Sequence, residues 1–216
     1  MDYATLVSTV TEAWAADGDT EFSAYLPRAV DLAEEKLTRR LDSYGMVVWT
    51  EASISASAAF VSVPSGIRIL KSVTYVSSGR ADDLLLRTDE YLRQYWPPRT
   101  NVGTPKYYAK RGAATIYLAP TPAADAALEF SGVVRPEALS SVSATNWFTQ
   151  YASRGLFYAT MLEMAVWSKN ASAIAAWTAA LEDELAVLRE EDRRNRRDDQ
   201  EPASAKNGGD NTLGGH

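Results

Sequence analysis

The side chains with chemistry to offer in this chain are carboxylates and hydroxyls, because cysteine is absent and the one histidine is His216. Thiolate nucleophiles, disulfides and cysteine-ligated metal are excluded, and a single histidine at the last position supplies neither an imidazole base nor a His-ligated metal centre. The carboxylates occur as the run Glu182-Asp183-Glu184, the pair Asp82-Asp83, and Glu51 alone. Two carboxylates held about 5–10 Å apart would suit glycoside hydrolysis. The 182–184 run, however, reads as a solvated helix face, and Asp82-Asp83 and Glu51 read as lacking a basic or histidine partner. Ser77-Ser78 and Ser140-Ser141 lack the setting of a nucleophile elbow, and Gly66 and Gly103 stand singly and form no phosphate-binding loop. No catalytic residue, metal ligand or cofactor site is expected, and the chain reads as a non-enzyme.

Two further clusters invite contact rather than catalysis. Arg193, Arg194, Arg196 and Arg197 lie among Glu190, Glu191, Asp192, Asp198 and Asp199, so their local charge is close to zero. A solvated helix end, a protein-docking segment and a nucleic-acid contact all remain open for them. Trp96, Tyr107 and Tyr108 could stack on sugars, but packing and subunit contact use the same rings.

The elements that must hold these residues divide by texture. Residues 144–191 read as two helices back to back. The first, about Thr149 to Lys169, is apolar nearly all round through Leu156, Phe157, Tyr158, Met161, Leu162, Met164, Ala165, Val166 and Trp167, with Glu163 the main exception, and a helix of that kind must be covered on every side. The second, about Ser172 to Glu191, carries a stripe at Ile174, Trp177, Leu181, Leu185 and Leu188. Asn170 reads as the stop of the first and Ser172 as the cap of the second. Near the other end, residues 3–16 and 21–41 make two amphipathic helices, the latter with Phe22, Leu26, Ala29, Val30, Ala33, Leu37 and Leu41 as its stripe. Pro27 falls in its first turn, and Glu34, Glu35, Arg39 and Arg40 are read as facing water.

Between the helical pairs, Met46 to Val134 is rich in Val, Ile, Thr, Ser and Tyr with frequent Gly and Pro. Five or six strands are expected, at 46–49, 59–63, 67–76, 106–110, 115–118 and 127–134, with a short apolar segment at 84–86, a turn at Ser77–Arg80, a helical turn capped by Thr88, and a hairpin across Arg111-Gly112. The fold class is α+β: a helical bundle formed by both termini (1–45 and 145–192) with an inserted small antiparallel β domain, sheet or sandwich (46–144), and a flexible C-terminal tail (193–216), disordered beyond about Asp199.

At 216 residues, with 46% hydrophobic and 23% charged side chains, the composition is that of an ordinary globular chain. The net charge of −6 argues against a surface built to grip nucleic-acid backbone. No apolar run approaches the roughly 18–20 residues of a membrane span, and no signal peptide is read at Met1–Val7. The expected setting is the cytosol, or a particle assembled there.

Four stretches, in order, resemble tailed-bacteriophage head-to-tail adaptor (connector) proteins of the tail-tubular, portal-adaptor type. Phe22–Leu41 is similar to the family's early helix at Pro27, Ala33, Glu34 and Arg39. Val63–Val76 resembles its Pro-containing strand, although Gly66-Ile67 replaces the usual acidic-aromatic pair. Gly103–Pro122 resembles its Gly-x-Pro-x-Tyr-Tyr hairpin ending in Ala-Pro-x-Pro. Asn146–Asn170 resembles its Asn-Trp helix. The resemblance implies a structural virion protein of the neck, assembled in the host cytoplasm. It would form a homo-oligomeric ring, usually of twelve subunits, between the portal protein and the tail tube, nozzle or stopper protein. DNA would pass through the lumen, and no membrane would be involved. Arg193, Arg194, Arg196, Arg197 and Leu213 are then the portal-docking candidates, in a tail that orders only on assembly. Phe157, Met161, Met164, Trp167, Trp96 and Tyr107 are the subunit-interface candidates. The alternative is a tail or host-surface module that binds carbohydrate through Trp96, Tyr107 and Tyr108.

Overall fold

A computed structural model describes residues 1–41, 44–97, 100–112 and 114–200. Two helices open the chain, α1 (Tyr3–Trp14) and α2 (Thr20–Arg40). After a 3-10 turn at Tyr44–Met46 come β1 (Val47–Ile54), β2 (Phe60–Ser62), β3 (Ile67–Ser77), β4 (Arg80–Asp83) and β5 (Leu85–Leu86). A short helix, α3 (Asp89–Tyr95), precedes β6 (Val102–Gly103), β7 (Tyr107–Lys110), β8 (Thr115–Ala119), β9 (Thr121–Pro122) and β10 (Ala126–Val134). Then follow α4 (Trp147–Tyr151), α5 (Ser153–Trp167) and α6 (Ala171–Gln200). The chain is thus mixed helix and sheet. It divides into two compact units: Met1–Tyr44 together with the chain from Glu137, and Gly45–Pro136.

The helical unit is built from caps and stripes. Asp2 accepts from the Thr5 N–H at 2.8 Å to start α1, and Ala15, at φ 52°, ends it in the left-handed region. Asp19 starts α2 by accepting from the Glu21 and Phe22 N–H groups, which puts Pro27 inside the helix and not in its first turn as expected. Phe22, Leu26, Ala29, Val30, Ala33 and Leu37 are buried, as the stripe requires, and α2 packs on α5. Ala152, outside helical geometry, breaks the expected long apolar helix into α4 and α5. On α5, Leu156, Ala159, Met161, Met164 and Ala165 are buried, while Val166 stays 49% exposed. Lys169, at φ 55°, ends α5. Asn170, not Ser172, caps α6: its side chain accepts from the Ala173 N–H, and Ser172 lies inside the helix donating its hydroxyl to Asn170 Oδ1. Leu181, Leu185 and Leu188 carry the buried stripe of α6.

That last helix is longer than its composition suggested. Residues 193–200, read as the start of a flexible tail, continue α6. Arg193 pairs with Glu190 and Arg196 with Asp192, the three- and four-residue spacings that support a helix without an apolar face. The remainder of the tail lies outside the described residues.

The β unit is a sandwich. One sheet has the order β1-β10-β3-β4, all antiparallel; the other has the order β2-β8-β7-β5. Val73 and Tyr75 of β3 and Leu128 and Phe130 of β10 meet Tyr108 of β7 and Ile116 and Leu118 of β8 in one core. The fully antiparallel expectation fails at two short pairs, β5 with β7 and β6 with β9, which are parallel. β5 returns to β7 after the β4 edge rather than by a hairpin, so it arrives running the same way. The turn at Ser78-Gly79 has φ 53° and 77°, the left-handed pair a tight hairpin needs. It joins β3 to β4, a strand that the charged sequence Arg80–Asp83 concealed. Gly132 sits at a bulge against β3, where a Cβ would lie 2.5 Å from Ile67 Cγ2 and 2.8 Å from the Ile69 carbonyl oxygen.

Candidate interaction surfaces

The carboxylates singled out above are mostly dispersed rather than convergent. Glu182 pairs with Arg40, and Glu184 lies 4.0 Å from Arg154. Asp183 is exposed. Asp82 is not without a cation: Arg80 Nε donates to both its oxygens at 2.8 and 2.9 Å. Asp83 accepts from the Thr74 hydroxyl at 2.7 Å. Glu51 lies across from Glu129 on the outer side of the first sheet. Asp82 and Asp83 share one recess of about 720 Å³ with Arg80 and Lys106, and both are already engaged, Asp82 by Arg80 and Asp83 by the Thr74 hydroxyl.

One carboxylate behaves differently. Glu34 was read as facing water, yet it is 2% exposed. Its Oε2 accepts from the Leu139 N–H at 3.1 Å and its Oε1 accepts from the Asn146 side-chain amide. The Asn146 amide also donates to the Glu137 carbonyl at 2.8 Å, while Asn146 Oδ1 caps α4 through the Thr149 N–H and the Thr149 hydroxyl accepts from the Asn146 N–H. Glu34 thereby ties the 137–149 segment to α2. A helical wheel places Glu34 next to the stripe, and only the arrival of the 137–149 backbone, with donors needing an acceptor, explains its burial. Both Glu34 and Asn146 fall in the stretches that carried the family resemblance. That was the available signal.

The aromatic candidates separate into two kinds. Tyr108 is buried in the sandwich core, where desolvation pushes its phenol above the ordinary value, so it offers no platform to a sugar. Trp96 and Tyr107 join Tyr91 and Tyr95 in a cluster beside α3, with centroid separations from 4.4 to 6.4 Å. The Arg87 guanidinium stands 5.8 Å from both the Tyr91 and Tyr107 rings. Tyr95 is 60% exposed, and Leu85 and Leu86 of the adjoining edge strand are also open. The cluster grips its own members at tilted angles and leaves an apolar rim.

On α5 the subunit-interface candidates part in the same way. Met161 and Met164 are buried inside the helical unit. Phe157 and Trp167 are half-buried: Phe157 meets Trp177 edge-on at 5.9 Å, and Trp167 stacks on Tyr25 at 5.2 Å. Among the portal-docking candidates, Arg193 and Arg194 are exposed on α6, and Arg196 is half-buried beside Asp192. Arg197 lies on α6, but its side chain, like Leu213, lies outside the described residues. No helix among the described residues is long and apolar enough to cross a membrane.

Exposed rings, apolar edge residues and ion-paired helix faces are the material of protein–protein contact. The family described as SU10 adaptor protein, a phage head-to-tail adaptor family, matches residues 1–204, and the chain belongs to it. Among curated proteins, none matches the chain. Membership makes the chain a structural adaptor of a phage and a virion component that meets other head–tail proteins.

Proposed function

We propose that the chain is one wedge of a closed ring, about twelve copies around, set between the portal protein and the tail tube, nozzle or stopper, with a lumen through which DNA leaves the head. The observation that carries this reading is the family match itself, which spans the helical unit and the β unit alike. The helices from both chain ends act as one bundle, and α5 contributes Phe157, Val166 and Trp167 to a neighbouring copy once Met161 and Met164 have filled its own interior. Trp96 and Tyr107, with Tyr95, form a second contact on the β unit. Arg193, Arg194, Arg196 and Arg197 at the end of α6, with Leu213 beyond it, dock the portal, and the protein assembles in the host cytoplasm before joining the neck. On this reading its work is structural and calls for no catalytic, metal or cofactor site.

Negative-stain imaging of the protein mixed with its portal tests this. Rings seated on portal particles are expected. A protein that stays monomeric and leaves the portal bare sinks the proposal. Ending the chain at Gln200 and at Asp192 separates the two parts of the docking segment: both proteins should fold, and the shorter one should fail to join portal rings. Normal joining by the shorter chain removes the arginines from the contact.

A further inference from the structure

Charge is unevenly divided between the two units, and the whole-chain value of −6 hides it. Residues 45–136 hold 10 Lys and Arg against 7 Asp and Glu, net +3; the rest of the chain holds 12 against 21, net −9. The positive charge of the β unit gathers at one end of its sandwich. Arg68 and Lys71 lie in the first half of β3, and Arg135 follows β10 just beyond the Val134–Ile67 pair. Lys110 closes β7 and reaches the Leu70 carbonyl at 3.2 Å, with Arg111 next to it over the Phe60 ring. Between β3 and the β7–β8 turn lies a recess of about 340 Å³, walled by Val63, Ile67, Leu70 and Ile116 and edged by Arg68 and Lys110. Among the described residues, no acidic side chain lines it. The unit's own acids lie elsewhere: Glu51 and Glu129 mid-sheet, Asp82 and Asp83 on β4, Asp125 by Ala56, and Asp89 and Glu90 on α3 beside Arg93.

The opposite charge is as concentrated. Residues 1–27 contain Asp2, Glu12, Asp17, Asp19 and Glu21 and no Lys or Arg. All five acids are exposed. In their midst Trp14, half-buried against Phe22 at 6.2 Å, keeps part of its ring available.

We propose that the cationic recess of the β unit receives the acidic N-terminal segment, residues 2–21, of a second copy of the chain. The inference rests on the ring reading above and names one contact within it. Apolar walls inside a charged rim suit a protein segment that brings an aromatic anchor with acids around it. A phosphate backbone has nothing apolar to place against Val63, Ile67 and Ile116. Cations gathered at one end of the sandwich and acids gathered at one end of the chain also give a heterologous contact its direction: recess to segment, copy after copy, is the head-to-tail arrangement that closes into rings.

Two charge-reversed proteins test the contact. The first carries Lys71→Glu, Lys110→Glu and Arg111→Glu. The second carries Glu12→Lys, Asp17→Lys and Glu21→Lys, leaving the capping residues Asp2 and Asp19 in place. Each should keep the wild-type circular dichroism spectrum and lose about tenfold or more in self-association, measured by sedimentation with and without the portal. An equimolar mixture of the two should recover assembly, because both of its contacts are again complementary. A rise from about 50 mM to about 0.5 M salt should weaken the wild type and leave either single variant little changed. If the reversed proteins form rings as the wild type does, the recess is not the contact and the ring reading stands without it. Failure of the wild type to form rings at all sinks both. If the first variant assembles normally but loses affinity for a duplex DNA fragment that the wild type binds, the recess serves nucleic acid and the proposal is overturned. Absence of recovery in the mixture also overturns it.

Discussion

Glu34 and Phe130 occupy comparable places in two differently made interiors. Phe130 is fully buried among Val73, Tyr75, Tyr108, Ile116, Leu118 and Leu128, so its surroundings in the sandwich are apolar packing. Glu34 is as hidden, yet its neighbours are a backbone N–H and an amide, and it fixes a crossing segment to a helix. Apolar packing is forgiving of direction and strict about volume. A buried carboxylate is the reverse: it tolerates little change in where its donors lie, and it specifies the path of the 137–149 segment in a way that leucines could not.

The largest expected effect breaks the apolar side of this contrast. Phe130→Ala should cost about 3–5 kcal/mol in urea unfolding, through lost burial and the cavity left behind. A value near 1 would mean that the sandwich collapses around the gap and is less tightly packed than its burial indicates. Glu34→Leu keeps the volume and removes the acceptor for two donors, and should cost about 2–4 kcal/mol by the same measurement. A neutral or stabilising result would put Glu34 in the same category as the apolar interior and end the contrast. Gly132→Ala sharpens the packing side, because its Cβ would run into the Ile69 carbonyl, which is backbone and cannot rotate away. About 1–3 kcal/mol is expected. The smallest effect is one of pH. Burial raises the Tyr108 phenol above 10.0, so the folded state holds its proton more tightly than the unfolded chain does. The stability this confers is complete below about pH 10 and falls as pH rises through the folded value. Tyr108→Phe should flatten the alkaline limb of a stability profile, and an unchanged limb would place that titration elsewhere.

The sequence disclosed what a period can disclose. The Phe22–Leu37 stripe, the strand at Ile67–Ser77, the Tyr107–Ala119 hairpin and the Thr88 cap follow from spacing and turn residues, and each forms. What stayed hidden depended on partners remote in the chain. Glu34 is off its stripe until residues 137–149 bring donors to it. Arg80–Asp83 looks like a solvated turn until Thr74–Ser77 pairs with it. Residues 193–200 lack apolar side chains and look unstructured until their acids and arginines are set three and four apart. The half-buried cluster of Tyr91, Trp96 and Tyr107, with exposed Tyr95, is partly legible: Trp96 and Tyr107 stand out as contact residues, but Tyr108 beside them turns inward because strand neighbours alternate. Whole-chain charge, finally, is a sum that erases its own distribution.

Insertion of the β unit between Tyr44 and Glu137 carries a consequence for synthesis on the ribosome. The apolar side of α2 is complete when Arg40 has been added, but the α5 residues that shield it arrive about 120 positions later. At about 5–20 residues per second that is a wait of roughly 6–24 s, long enough for the sandwich to close first. For that interval Leu26, Val30 and Leu37 are uncovered on a nascent chain, a natural target for a host chaperone.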